Sequence, residues 1–191
     1  KGNPNLKPEN VMQYEIGYKV NAFLNKFDIS QTFYNSKLRN EINGSASHPE
    51  GGFTASNMDS NSYRKGLETR INYNINRYSD ASISYDYVDS TQYNSSTENQ
   101  QAEVRRPRNL ININYNNNFF NNLSINSNIF YSSKVKDTDF SSYPFQNVYM
   151  SSYFLFNTTL NYDVDSKNKV SLIFKNIFNR EYNVVNDFNT P

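Results

Sequence analysis

Residues 153–182 read YFLFNTTLNYDV-DSKNK-VSLIFKNIFNREY, and they decide the fold of the chain. In two segments of this stretch apolar and polar residues alternate, and a short polar turn from Asp163 to Lys169 joins them. An alternation of period two predicts β-strands whose two faces meet different surroundings. The stretch is therefore predicted to be a β-hairpin with one apolar face. After the hairpin, an aromatic segment leads into a loop.

The apolar face of this hairpin combines aromatic and aliphatic side chains. It carries Phe154, Phe156, Thr158, Leu160, Tyr162, Val170, Leu172, Phe174 and Phe178. The opposite face is mostly polar, although Leu155, Ile173 and Ile177 also fall on it.

The rest of the chain repeats this unit, which gives eight predicted strands in four hairpins. The earlier strands are predicted at about residues 11–20, 27–38, 63–75, 81–87, 111–115 and 123–131. Short turns lie within the hairpins at residues 21–26, 76–79 and 116–122. Long polar breaks at about residues 39–62, 89–105 and 132–147 connect one hairpin to the next.

The composition is unusual for a soluble domain. Mean hydropathy is −0.83 and hydrophobic residues make up only 36% of the chain, which is too few to form a large buried core. The chain nevertheless contains 16 Tyr and 14 Phe. Aromatic residues on a polar background suit a membrane β-barrel, in which half of each strand faces lipid and aromatic girdles mark the interfaces. The net charge of +1 and the lack of a basic stripe argue against a nucleic-acid partner.

The strict alternation of short and long connections predicts an all-β fold, a transmembrane antiparallel β-barrel. Strands of about 10 residues cross a bilayer when they are tilted. Outer-membrane barrels keep short turns on the periplasmic side and long loops outside the cell. An open sheet edge is not tolerated in hydrocarbon, so the strands must belong to a closed barrel. Because the chain starts and stops abruptly, we expect it to be an open or incomplete fragment of a larger barrel when it is isolated.

Three motifs connect the chain with a known family. GNPNLKPENVMQYEIGY at residues 2–18, YRKGLETRINYNI at 63–75 and KNIFNREYNVV at 175–185 resemble the C-terminal barrel strands of TonB-dependent outer-membrane receptors. Within that family, SYDYVDS at 84–90, RRPRN at 105–109 and SSYPFQNVYM at 141–150 look most like cobalamin (vitamin B12) transporters.

The resemblance implies that residues 1–191 are one partial barrel domain. It would be roughly strands 14–21 of a barrel of about 22 strands, without the plug domain, the coupling box or the final strand. Such receptors lie in the outer membrane of Gram-negative bacteria and import scarce metal chelates or vitamins. The expected partners are the imported ligand (cobalamin or another metal chelate), outer-membrane lipid, the plug domain and the TonB energy-coupling protein. The fragment is not expected to transport by itself.

The candidate ligand-binding residues are Ser141, Ser142 and Tyr143, in the third long connection. The resemblance to cobalamin transporters implies that this loop approaches the ligand. Hydroxyl and aromatic groups suit a large amphiphilic ligand.

Other polar groups are weaker candidates. His48 is the only histidine, and it has no second ligand nearby in the sequence, so we expect a solvated loop residue rather than a metal or catalytic group. Asp137 and Asp139 form a carboxylate pair that a Ca²⁺ site would need to supplement with further oxygens, so a polar loop is expected. The remaining charged candidates are a basic cluster at the rim of the barrel and a pair of residues on its inner wall. They are Arg105, Arg106 and Arg108, and Glu68 and Arg70.

No catalytic residue, resident metal or cofactor is predicted, and the chain is not expected to be an enzyme. The main alternative is a siderophore or haem receptor of the same family. A soluble all-β carbohydrate-binding module would show similar alternation but not the rhythm of short and long connections. A barrel hydrolase would need a base near a nucleophile, and a plain diffusion porin would not carry the family motifs.

Overall fold

The computed structural model describes residues 2–24, 26–94, 98–120, 122–141 and 143–187. All regular elements in these ranges are β-strands, which confirms the all-β prediction. They are β1 (Asn10–Ala22), β2 (Phe27–Arg39), β3 (Gly44–Ser47), β4 (Phe53–Ser56), β5 (Ser62–Asn76), β6 (Ser79–Asn94), β7 (Asn99–Ala102), β8 (Asn109–Phe120), β9 (Leu123–Ser132), β10 (Val135–Asp139), β11 (Gln146–Met150), β12 (Tyr153–Asp163) and β13 (Lys169–Phe174). Within the described ranges there is no helix that is long and apolar enough to cross a bilayer.

Eight long strands form one sheet in the order β1-β2-β5-β6-β8-β9-β12-β13, and β7 pairs with β6. Long strands that follow one another in the chain are therefore neighbours in the sheet, as the prediction of four successive hairpins requires. In the described residues the sheet ends at β1 on one side and at β13 on the other. An edge strand leaves backbone N–H and C=O groups unpaired, which is costly in hydrocarbon. The prediction of an unclosed barrel fragment is confirmed.

The chain divides into two compact units, which draw on different stretches of the same long strands. The first contains Lys1–Ile16, Phe33–Gly66 and Val88–Glu103, and the second contains Gly17–Thr32, Leu67–Tyr87 and Val104–Pro191. The short strands β3, β4 and β7 belong to the first unit, whereas β8 to β13 belong to the second.

The long connections contain more regular structure than the sequence predicted. β3 pairs with β4 in the first connection, β6 continues to Asn94 and pairs with β7 in the second, and β10 pairs with β11 in the third. The prediction of a break beginning at about Asp89 is therefore wrong. Antiparallel pairing satisfies backbone groups whatever the polarity of the side chains, so polar segments also form hairpins here.

The second strand of the last hairpin is shorter than predicted. β13 ends at Phe174, because the backbone turns where Asn176 and Asn179 adopt positive φ angles of 48° and 46°. The side-chain oxygen of Asn176 accepts the N–H of Arg180 at 2.9 Å, which stabilises this turn. Ile177 N–H still donates to the carbonyl of Phe156 at 2.9 Å, so the chain stays beside β12.

One face of the sheet, called the apolar face below, carries rows of apolar residues. Ile113 lies opposite Ile129, which lies opposite Phe156 on the next strand. Many of these side chains are exposed, whereas Leu38 and Val135 are the buried hydrophobic residues of the described part of the chain. A soluble domain would bury such residues, so this face matches a surface that meets lipid.

The opposite face carries rows of amide side chains that hydrogen-bond across the strands. Each side chain of one row donates to the one before it, with distances of 2.8, 2.8, 2.9 and 2.7 Å along the row. The row consists of Asp80, Asn116, Asn126, Asn161 and Ser171, on β6, β8, β9, β12 and β13. A second row runs parallel to it through Ser82, Asn114, Asn128 and Asn157. These bonds satisfy the polar side chains of this face, which the sequence predicts to be the mostly polar one.

Candidate functional site

The predicted ligand-binding residues lie at the tip of the β10–β11 hairpin. Its strands pair from Val135 opposite Met150 to Asp139 opposite Gln146, which leaves residues 140–145 as the tip. Ser141 and Tyr143 are exposed there, and Ser142 lies outside the described residues. The hairpin forms the third long connection, so its tip belongs to the end of the sheet that the sequence predicts to lie outside the cell.

Three aromatic side chains cluster at this tip. The ring centroids of Phe140 and Phe145 are 5.0 Å apart, and those of Tyr143 and Phe145 are 5.8 Å apart, both in edge-to-face geometry. Tyr143 is 89% exposed, Phe140 61% and Phe145 56%, so the rings pack on each other and remain open to solvent. Phe140 and Phe145 were not predicted as site residues. The crowding of three aromatic residues around one proline in a polar loop was the signal for them.

A single carboxylate accompanies the aromatic tip. Asp139 Oδ1 accepts the backbone N–H of Ser141 at 2.8 Å. Hydrogen bonds from the hydroxyl and the N–H of Ser141 hold the pKa of this carboxyl below its usual value. Asp139 is therefore ionised at neutral pH, and the tip combines apolar rings with one negative charge.

A buried carboxylate anchors the stem of the hairpin. The side chain of Asp137 is 1% exposed, and its Oδ1 lies 2.8 Å from Arg105 Nε. It also accepts the N–H groups of Asn186 and Thr138, both at 2.8 Å. Burial raises the pKa of Asp137, but the N–H donors of Asn186 and Thr138 and the guanidinium of Arg105 outweigh it and lower the pKa below its usual value. The arrangement ties β10 to the chain before β8 and to the C-terminal segment.

This anchor corrects two predictions. Asp137 was expected in a polar loop with Asp139, but it lies in a strand and forms a buried ion pair. Arg105 was expected in a basic rim cluster with Arg106 and Arg108. Its side chain is 46% exposed, but its guanidinium pairs with Asp137 and its N–H donates to Lys136 O at 2.7 Å. Arg106 and Arg108 also interact within the chain. Among the described residues no group of three or more His, Asp or Glu side chains is placed to hold a metal ion.

A small apolar cavity of about 130 Å³ lies beneath the stem. It is lined by Arg105, Pro107, Leu110, Phe130, Ser132, Val135, Met150, Ser151, Tyr153, Asn183 and Val184. Beside it the ring of Tyr153 stacks on that of Tyr182, with the centroids 4.4 Å apart. These contacts seat the hairpin on an apolar base and leave its aromatic tip exposed.

The remaining candidates lie apart from the hairpin. His48 belongs to the turn between β3 and β4, where its Nδ1 accepts the N–H of Glu50 at 3.1 Å. Glu68 and Arg70 lie on β5 with 3.9 Å between their charged atoms, and both are exposed. None of these three side chains belongs to the cluster at the tip.

Comparisons with known proteins concern the whole chain. A family model described as "TonB dependent receptor-like, beta-barrel" matches residues 1–179. No curated protein matches the sequence. Similar solved structures include the siderophore receptor PirA from Acinetobacter baumannii, with a TM-score of 0.76 at 15% identity over 99% of this chain and 31% of that one.

Two further structures show the same fold. The pyoverdine outer membrane receptor FpvA from Pseudomonas aeruginosa PAO1 gives a TM-score of 0.74 at 15% identity, over 94% of this chain and 27% of that one. The ferric-catecholate import receptor Fiu from K12 E. coli gives 0.73 at 14% identity, over 96% and 25%. The chain thus spans between 25% and 31% of the length of these three proteins.

Proposed function

Because the chain belongs to the TonB-dependent receptors and forms part of their β-barrel, we propose that it supplies barrel wall and a ligand-contacting hairpin to an importer of scarce metal chelates or vitamins. The barrel lies in the outer membrane of a Gram-negative bacterium. On this proposal the rest of the barrel, a plug domain and the TonB energy-coupling protein are its partners.

The observation that carries the proposal is the aromatic tip on an anchored stem. Phe140, Tyr143 and Phe145 are more than half exposed, although burial would stabilise each ring. The ion pair of Asp137 with Arg105 fixes the stem below them. Exposed aromatic rings on a fixed support are suited to contact a large amphiphilic ligand, because little conformational freedom is lost on binding.

Cobalamin is the first candidate ligand, because the segments at residues 84–90, 105–109 and 141–150 resemble cobalamin transporters. A ferric siderophore is the second, since receptors for pyoverdine and ferric catecholates share the fold. Haem is a third possibility within the same family.

The test is ligand binding by the full-length parent receptor in detergent, with cobalamin, ferric siderophores and haem measured side by side. We expect tight binding of one of them, and a Kd raised about 10- to 100-fold by the double variant Phe140→Ala/Tyr143→Ala. The matched control is Phe120→Ala, an aromatic residue 72% exposed at the opposite end of the strands. It should leave the Kd unchanged.

Each outcome separates a different part of the proposal. Binding of a ferric siderophore alone would rule out cobalamin as the ligand and would still support the importer function. An unchanged Kd in the variant Phe140→Ala/Tyr143→Ala would show that the hairpin is not part of the binding site. A parent receptor that binds none of the three ligand classes would contradict the proposed function.

A further inference from the structure

A group of basic side chains lies on the apolar face at the end of β2 that leads into a long connection. Lys37 and Arg39 alternate with Ser36 and Leu38, which are 4% and 8% exposed. Because successive residues of a strand point to opposite faces, the two cations share the face of Phe33, which is 47% exposed. Two positive charges therefore point toward the membrane side of the wall rather than toward its interior.

The neighbouring strand β5 continues this group. Lys37 Nζ lies 5.7 Å from the ring centroid of Tyr63, a distance that allows a cation–π contact. Lys65 is two positions further along the same face, and its Nζ lies 3.4 Å from Asp89 Oδ2. The Lys65 side chain remains 68% exposed.

An open cavity of about 410 Å³ lies against the two cations of β2. It is lined by Asn10, Val11, Met12, Lys37, Arg39 and Asn40. Its lining contains two positive charges, two amide side chains and no carboxylate, and it lies wholly within the first compact unit. An anion entering it would meet no charge of its own sign among these residues.

Two carboxylates of the first compact unit have partners of their own. Asp89 is paired with Lys65, and Glu9 Oε1 accepts the N–H of Ile42 at 2.6 Å. In the part of the chain that the structure describes, Lys37 and Arg39 form no ion pair. Both charges therefore remain free to bind an external anion.

Exposed apolar residues of β1 and β2 lie on the short-turn side of this cavity. Met12, Tyr14 and Phe33 lie on the apolar face just toward the short-turn end, with 51%, 71% and 47% of their surface exposed. Tyr and Phe girdles of outer-membrane barrels mark the boundary between hydrocarbon and headgroups. Lys37 and Arg39 lie nearer the long-connection end of β2 than Phe33 does, on the side where we expect the headgroups of the outer leaflet.

We infer that this cavity binds a phosphate group of the phosphorylated glycolipid in the outer leaflet. An Arg guanidinium and a Lys ammonium are the usual pair for phosphate oxygens, and basic pockets on membrane proteins hold lipid headgroups in this way. Met12, Lys37 and Arg39 of its lining lie on the apolar face, which we expect acyl chains to cover. A membrane glycolipid therefore fits it better than a soluble anion does.

The test is native mass spectrometry of the full-length receptor extracted in mild detergent, with retained lipid A as the readout. We expect Lys37→Gln/Arg39→Gln to lower retained lipid A about tenfold or more. The control Lys26→Gln/Lys167→Gln removes the same charge from turns at the opposite end and should retain the wild-type amount. The swap Lys37→Arg/Arg39→Lys keeps the charge and should retain most of the lipid.

Rebinding experiments separate the possible anions. After delipidation we expect lipid A to rebind and dephosphorylated lipid A to fail. Equal retention by the two Gln double variants, or equal rebinding of the dephosphorylated lipid, would overturn the inference. Saturation by inorganic phosphate at the concentration at which lipid A binds would assign the cavity to a soluble anion instead. The readout does not depend on which ligand the receptor imports.

Discussion

The hairpins β3–β4 and β10–β11 have similar stems. Each is a short antiparallel pair within a long connection. Each also has a buried carboxylate–arginine pair close by: Glu41 Oε1 lies 2.9 Å from Arg64 Nη2, and Asp137 Oδ1 lies 2.8 Å from Arg105 Nε. Fixed stems are thus built in the same way in both compact units.

The tips of the two hairpins differ. The β3–β4 tip is closed by backbone bonds between His48 and Gly52 and between Gly51 and His48, both at 2.9 Å, with φ of 89° at Gly51. The β10–β11 tip instead presents the aromatic cluster. The stem and the tip of these hairpins are therefore separate features: an ion pair holds the stem, and the tip sets what the hairpin can contact.

Loss of Arg64 should have the largest effect. Its guanidinium also binds Glu103, at 2.9 and 3.0 Å, and Ser62 donates to Glu41. Arg64→Ala removes the cation from two buried carboxylates, Glu41 and Glu103, which should cost about 3 kcal/mol of local stability. Hydrogen exchange of residues 44–56 in the full-length receptor should accelerate by about a hundredfold. Arg70→Ala is the control, because Arg70 is exposed and its ion pair is 3.9 Å long; equal exchange in both variants would contradict the anchor.

Acid should loosen the β10–β11 stem. The folded pKa of Asp137 is lowered, so its stabilising effect is present at neutral pH and is lost as pH falls below about 4. Asp137→Asn should remove the effect at every pH and cost about 2 kcal/mol at pH 7. The measurement is exchange of residues 135–150, normalised to the chemical rate, from pH 7 to pH 3. A wild-type stem as stable at pH 3 as at pH 7 would argue against the ion pair.

The β3–β4 tip requires glycine for its backbone conformation, with φ of 89° at Gly51. Gly51→Ala forces a side chain into the left-handed region, and it should destabilise that hairpin by about 1 kcal/mol. A Cβ at this position would meet no atom within 4 Å, so any effect comes from the backbone rather than from a clash. The measurement is hydrogen exchange of residues 44–56. Unchanged exchange would show that the tip can adopt a turn that does not need a positive φ at residue 51.

The aromatic tip should contribute least to stability. Tyr143 is 89% exposed, so Tyr143→Ala should change the free energy of unfolding by less than about 0.5 kcal/mol. The same variant is expected to weaken ligand binding. Weaker binding at unchanged stability would show that the ring contacts the ligand and does not support the fold. A large loss of stability in thermal unfolding would mean that the rings support the stem.

Much of the barrel wall followed from local pattern. The alternation in residues 153–163 predicted β12 and its apolar face, and the rhythm of connections predicted four hairpins in sequence order. The pattern suffices because side chains of a strand point alternately to its two faces, a property of the local backbone. It also placed Ser141 and Tyr143 in an exposed connection, although their role in binding remains a prediction.

Tertiary structure decided the rest. Arg105 and Asp137 are 32 residues apart, and Arg64 and Glu103 are 39 apart, so neither pair has a local signature. The short strands in the connections escaped prediction because backbone pairing, rather than side-chain alternation, creates them. The sequence by itself determined which residues of the long strands lie on the apolar face and which on the polar face. Only the register between distant segments decided which charges meet and which aromatic rings cluster, because those contacts depend on chain reversals that no single segment encodes.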